Sequence, residues 1–199
     1  MSIMPITYTN RKGFTFYLCQ GVTKTGKPRY FFAHEVKGEP VEQIPDGYTI
    51  TESVNGVVSL SKVRASQLRE EEINAVKAAV ARHLKSKRYR INVRPKRIEI
   101  YEAVGPDYTD LFADFLPRVP LPPSPGTVNQ LVARLERHQE FTPVLRFTLR
   151  DAEQRTFAVE RMCYLGSIDD FINIGYGPLE PMASERIATL GTEEFFEWF

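Results

Sequence analysis

Arg82-His83-Leu84-Lys85-Ser86-Lys87-Arg88-Tyr89-Arg90-Ile91-Asn92-Val93-Arg94-Pro95-Lys96-Arg97-Ile98-Glu99-Ile100-Tyr101 changes its apolar period partway along, and that change decides the fold class. Upstream, Ile73, Val76, Val80 and Leu84 recur at spacings of three and four, the single apolar stripe of a helix over about Glu70–Leu84. Glu70, Glu71 and Glu72 suit its N-terminus, and Arg82, His83 and Lys85 suit its C-terminus. From Tyr89 the alternation has period two. Tyr89, Ile91, Val93, Ile98 and Ile100 then cover a core from a hairpin, while Arg90, Asn92, Arg94 and Arg97 point away from it. Helix followed by antiparallel hairpin predicts an α+β protein.

Working outward, the N-terminal third reads as further β structure. Phe14–Cys19 and Arg29–His34 flank a loop dense in turn formers, and Phe14, Phe16, Phe31 and Phe32 are expected in the core. Tyr48–Glu52 and Val57–Val63 flank Asn55-Gly56, two residues that tolerate positive φ and so favour a tight hairpin. Downstream, Tyr108–Leu116 predicts a short amphipathic helix. Pro117, Pro120, Pro122, Pro123 and Pro125 make Pro117–Gly126 a stiff connection, which predicts a boundary between residues 1–116 and 127–199. Thr127 is expected to cap a helix through about Gln139, with Val128, Leu131, Val132 and Leu135 facing inward. Leu145–Leu149 and Arg155–Cys163 suggest another hairpin. Ser167-Ile168-Asp169-Asp170 predicts a short helix through Ile174, stopped by Gly175-Tyr176-Gly177-Pro178. Helical pieces are expected near Ser184–Leu190 and Thr192–Phe199.

Charge divides the chain unevenly. Residues 1–100 carry 18 Lys+Arg against 9 Asp+Glu, and residues 101–199 carry 8 against 16, although the total is only +1. The expected architecture is therefore a β-hairpin-rich basic N-terminal module joined to a smaller acidic α+β module. Two groups hold the basic excess: Arg11, Lys12, Lys24, Lys27 and Arg29, then Arg82, Lys85, Lys87, Arg88, Arg90, Arg94, Lys96 and Arg97. Such groups attract phosphates whatever the base sequence. A two-stranded ribbon carrying them fits a DNA major groove, and Tyr17 or Tyr30 offers a ring for unpaired bases. The alternative is that these charges only protect strand edges and solvate loops.

Asn10-Arg11-Lys12-Gly13 followed by Lys24-Thr25-Gly26-Lys27-Pro28-Arg29-Tyr30 resembles the basic β-sheet modules at the front of some phage-type integrases. The resemblance covers about thirty residues and implies a β-sheet DNA reader. The catalytic Arg, His and Tyr pattern of those enzymes does not follow, so it implies no recombinase.

Catalytic signals are sparse. His83 and His138 suit helix C-termini, and the three histidines lack metal-ligand spacing. Asp151, Glu153 and Glu160 invite a carboxylate-based metal or hydrolase reading, against which Arg155 and Arg161 offer simpler partners, as Arg146 and Arg150 do for carboxylates across the hairpin. Gly175-Tyr176-Gly177 lacks the third glycine of a dinucleotide fingerprint. Cys19 and Cys163 stand apart, as expected of reduced thiols in a cytoplasmic protein. No run approaches the ~20 apolar residues of a membrane span, and the N-terminus lacks the pattern of a signal peptide. The ending offers Phe195, Phe196, Trp198 and Phe199, either as anchors for a protein partner or folded back at helical spacing.

The expectation is a cytoplasmic accessory protein without cofactor or metal. It would be non-enzymatic and would bind DNA or RNA through a basic β surface. The alternatives are a protein-interaction or self-assembly module with opposed charge patches, and an enzyme using C-terminal carboxylates.

Overall fold

The computed structural model describes residues 4–120, 123–164, 166 and 169–197. In chain order the first elements are strands β1 (Thr7–Thr9), β2 (Thr15–Val22), β3 (Pro28–Ala33), β4 (Glu39–Pro40), β5 (Tyr48–Glu52) and β6 (Val58–Lys62). Helix α1 (Glu70–Arg82), strands β7 (Tyr89–Arg94) and β8 (Arg97–Ala103), and helices α2 (Tyr108–Phe115) and α3 (Pro125–His138) follow. Strands β9 (Phe141–Asp151), β10 (Thr156–Tyr164) and β11 (Asp169–Gly177) and helices α4 (Leu179–Ala188) and α5 (Glu194–Glu197) complete the set. The fold class is α+β, with antiparallel sheets, and no described helix is long and apolar enough to cross a membrane.

The chain divides into two units, each built from two segments. Unit 1 joins residues 1–64 to 108–139, and unit 2 joins 65–107 to 140–199. This differs from a boundary at Pro117–Gly126, which falls inside unit 1. Its cause is the pairing of β8 with β9, from Arg97↔Thr148 to Ala103↔Phe141, which returns the chain to unit 2 after α2 and α3. The charge division changes with it. Counted by unit, unit 1 carries 11 Lys+Arg against 8 Asp+Glu, and unit 2 carries 15 against 17. Unit 1 is thus +3 and unit 2 is −2, a much smaller split than along the sequence. The excess along the sequence is redistributed by strand pairing.

Unit 2 is a five-stranded antiparallel sheet in the order β11-β10-β9-β8-β7. Ile98, Ile100, Leu145, Phe147, Leu149, Phe157 and Val159 share a core with Val76, Ala79 and Val80 of α1 and Leu179, Ala183 and Ile187 of α4. One sheet face is thus covered by two helices. The α1 stripe holds as read except for Leu84, which is fully exposed because the helix ends at Arg82. The Arg69 N–H donates to Glu72 Oε2 at 2.8 Å, satisfying one orphan donor of the first turn. Residues 169–174 are strand, not helix: β11 pairs with β10 from Phe157↔Gly177 to Tyr164↔Asp169. Ile172 and Ile174 alternate, and edge pairing outweighs a capping signal whose Ser167 and Ile168 lie outside the described residues.

Unit 1 has a sheet in the order β1-β2-β3, with β4 also on β2, and a separate β5-β6 hairpin. Phe14 is exposed, while Phe16, Phe31 and Phe32 are only half-buried, so none of the four expected core phenylalanines is buried. α3 starts earlier than expected, because Ser124 caps it: its Oγ accepts from the Thr127 N–H at 3.3 Å. Pro125, lacking an N–H, fits the first turn at no cost.

Candidate nucleic-acid interface

The register of unit 2 places its polar side chains in rows across the sheet, because directly paired residues point to the same face. One row is Asn92, Glu99, Arg146, Glu160 and Asn173. A neighbouring row is Arg94, Arg97, Thr148, Ala158 and Tyr176. Both lie opposite the face covered by α1 and α4. Period-two alternation accounts for this: Ile98 and Ile100 face the helices, and so Arg97, Glu99 and Tyr101 cannot.

Two buried carboxylates organise these rows. Glu160 accepts from Arg146 Nε at 2.8 Å and Nη2 at 3.0 Å, from Thr148 Oγ1 at 2.6 Å and from Arg150 Nη2 at 3.1 Å. Burial pushes its carboxyl up, but the hydrogen bonds from Arg146 and Thr148 and the charges of Arg146 and Arg150 outweigh burial and hold it below its ordinary value. Arg146 is also fixed from above, with its guanidinium 3.9 Å from the Phe171 ring centroid. Glu99 accepts from Asn92 Nδ2 at 2.9 Å and from the Tyr101 hydroxyl at 3.3 Å, and it pairs with Arg97 Nε at 2.8 Å. Burial, with the Glu99 charge second, raises the Tyr101 hydroxyl above its ordinary value.

The cationic side chains left outward are Arg94, Lys96 and, in part, Arg97 and Arg150. The side chains of Arg97 and Arg150 keep 45% and 52% of their exposure even while paired, so each can meet a second anion. Tyr176 is 66% exposed and stands in the same row as Arg94 and Arg97. The face can hold an extended anion over several strands. Its two glutamates, Glu99 and Glu160, are already paired within the face.

The structure separates the basic residues expected to act together. Arg11 and Lys12 belong to the β1–β2 turn, whereas Lys24, Lys27 and Arg29 are exposed at the other end of β2, about 24 Å away at 3.4 Å per residue. Arg11 is occupied: its guanidinium donates to the carbonyls of Arg137 and Gln139, both at 3.2 Å, at the negative end of α3. Lys85, Lys87 and Arg88 sit where β7 begins, and Arg94, Lys96 and Arg97 where it turns into β8. Arg88 is also occupied, donating to Ala103 O at 2.7 Å and Gly105 O at 2.9 Å. Arg90 donates to the Lys87 and Tyr89 carbonyls, both at 3.1 Å, and lies over the Phe141 ring. The second group therefore splits into Arg82, Lys85 and Lys87, exposed before β7, and Arg94, Lys96 and Arg97, exposed at its other end.

The other candidates resolve differently. Asp151 accepts from the N–H groups of Glu153 and Gln154, both at 2.8 Å, and caps its own turn, so it does not join Glu160. Arg155 does not bridge the hairpin: its Nε donates to Glu72 of α1 at 2.8 Å. Among the described residues no three His, Cys, Asp or Glu side chains are placed to hold a metal. Phe195 is buried in the core and its carbonyl accepts from Arg161 Nη1 at 3.0 Å, while Phe196 is 61% exposed. Trp198 and Phe199 lie outside the described residues. Cys19 and Cys163 are free thiols. Gly175 and Gly177 mark Tyr176 as a turn in the sequence, and strict alternation from Ile172 and Ile174 would put it on the helix-covered face; the register shift between Val159 and Glu160 turns it to the polar face instead. No family model matches the chain, and neither a curated protein nor a solved structure matches it.

Proposed function

We propose that this chain is a non-enzymatic accessory protein that binds nucleic acid through the polar face of the unit 2 sheet. The observation that carries the reading is the exposed set Arg94, Lys96, Arg97 and Arg150, with Tyr176 at the far edge of the same sheet, on a face whose two glutamates are already paired. A phosphate backbone is the polyanion that such a spread of cations fits, and each contact releases a counterion. Opposed charge patches between halves lose support from the near balance of charge by unit.

Fluorescence anisotropy with labelled oligonucleotides at about 50 and 200 mM salt tests this. Binding is expected at the lower salt, falling steeply at the higher. The pair Arg94→Glu and Lys96→Glu should weaken it by about tenfold or more and reduce the salt slope by about 1–2. Both side chains are exposed, so the melting temperature should stay within a few degrees. Absence of binding at either salt overturns the reading.

A further inference from the structure

Resting on that reading, we infer that the ligand of the unit 2 face is single-stranded nucleic acid, its phosphates along Arg94, Arg97 and Arg150 and an unpaired base on the Tyr176 ring. Two observations carry the choice of strand state. The β7–β8 hairpin is not a free ribbon, because β8 is hydrogen-bonded to β7 on one side and to β9 on the other. Five strands at about 4.8 Å spacing make a sheet about 19 Å across, wider than the ~12 Å major groove that a two-stranded ribbon would enter. The sheet meets nucleic acid with its face.

The second observation is the row itself. Arg94, Arg97, Thr148, Ala158 and Tyr176 are successive cross-strand partners, so the cations and the ring share one face at opposite edges of the sheet. Between them stand the two smallest side chains of the row, the half-buried Thr148 and Ala158, which its neighbours cover completely, so the exposed contact points lie toward the two edges. Thr148 is held by Glu160, and Arg150, bound to the same carboxylate, is set beside it. In a duplex each base face is covered by its neighbours and is closed to an aromatic ring. A single strand offers those faces, and stacking is tolerant of base identity. Tyr176, exposed at the β11 edge, has the position such a base needs.

The test titrates a labelled thymidine oligonucleotide of about 20 nucleotides and a mixed-sequence duplex of the same length, at about 50 mM salt. The single strand is expected to bind at least about tenfold more tightly. Tyr176→Ala should cost the single strand about tenfold and leave duplex binding unchanged; Tyr176→Phe should retain wild-type affinity. Tyr176→Leu keeps the bulk without the ring and should lose as much as alanine, which separates stacking from packing. Duplex binding as tight as single-strand binding, or Tyr176→Ala without effect on the single strand, overturns this inference and leaves the proposed function standing. Failure of the wild-type chain to bind either oligonucleotide overturns both.

Discussion

Units 1 and 2 are stabilised in different ways. Among the described residues, the buried apolar side chains of unit 1 are Leu18, Cys19 and Val58, whereas unit 2 buries Phe147, Phe157, Ile98, Ile100, Leu145 and many others. Unit 1 relies on polar pins. The buried Asn10 donates from Nδ2 to Gly56 O at 2.7 Å, and its Oδ1 accepts from the Lys12 and Phe14 N–H groups at 3.1 and 2.9 Å. Glu52 accepts from the Tyr8 hydroxyl and from the Arg11 N–H, both at 2.9 Å. These bonds join the β1–β2 turn to the β5–β6 hairpin. The hydrogen bond to Glu52, ahead of burial and its charge, raises the Tyr8 hydroxyl above its ordinary value. A small sheet with little apolar surface to bury has its hairpins positioned by directional bonds, while a layered unit has its strands positioned by packing.

The largest test of this contrast compares two phenylalanines. Phe157→Ala, at a site with no exposure, should cost about 4 kcal/mol, whereas Phe16→Ala, half-buried in unit 1, should cost less than about 2 kcal/mol. Urea unfolding measures both, and equal costs would break the comparison.

Asn10→Ala comes next, at about 2 kcal/mol, because it leaves the carbonyl of the buried Gly56 and two turn N–H groups without their partner. Hydrogen exchange should quicken in the β1–β2 and β5–β6 turns and not in the β9–β10 core. Unchanged turn exchange would show that the pin is not what holds unit 1.

The smallest effect sharpens the polar side of unit 2. Glu160→Gln should cost about 1 kcal/mol at neutral pH, since Arg150 remains half-exposed and is screened. The native Glu160 carboxyl lies below its unfolded value, so its stabilisation is complete above about pH 4.3 and is lost as pH falls through the native value. The stability gap between wild type and Glu160→Gln should therefore close on acidification. A gap that is constant from neutral pH to about pH 3 would remove Glu160 from the account.

Local patterns in the sequence determined much of this protein. The Asn55-Gly56 hairpin, the Tyr89–Tyr101 hairpin and the α1 stripe follow from turn chemistry and apolar period, which act between near neighbours. The basic turn Arg94–Arg97 was legible for the same reason. Only the tertiary structure decided which elements share a unit. The β8–β9 pairing spans the whole of α2 and α3, and nothing within either strand specifies so distant a partner. That pairing also places Arg97 beside Thr148 and Arg146 between Glu99 and Glu160. The β10–β11 pairing recruits Tyr176 from a segment that reads locally as a helix stop. The sequence by itself set the strands, the helix and the charges. Register between distant strands decided which charges stand free and which are spent on one another, because that choice depends on faces that exist only once the sheet has formed.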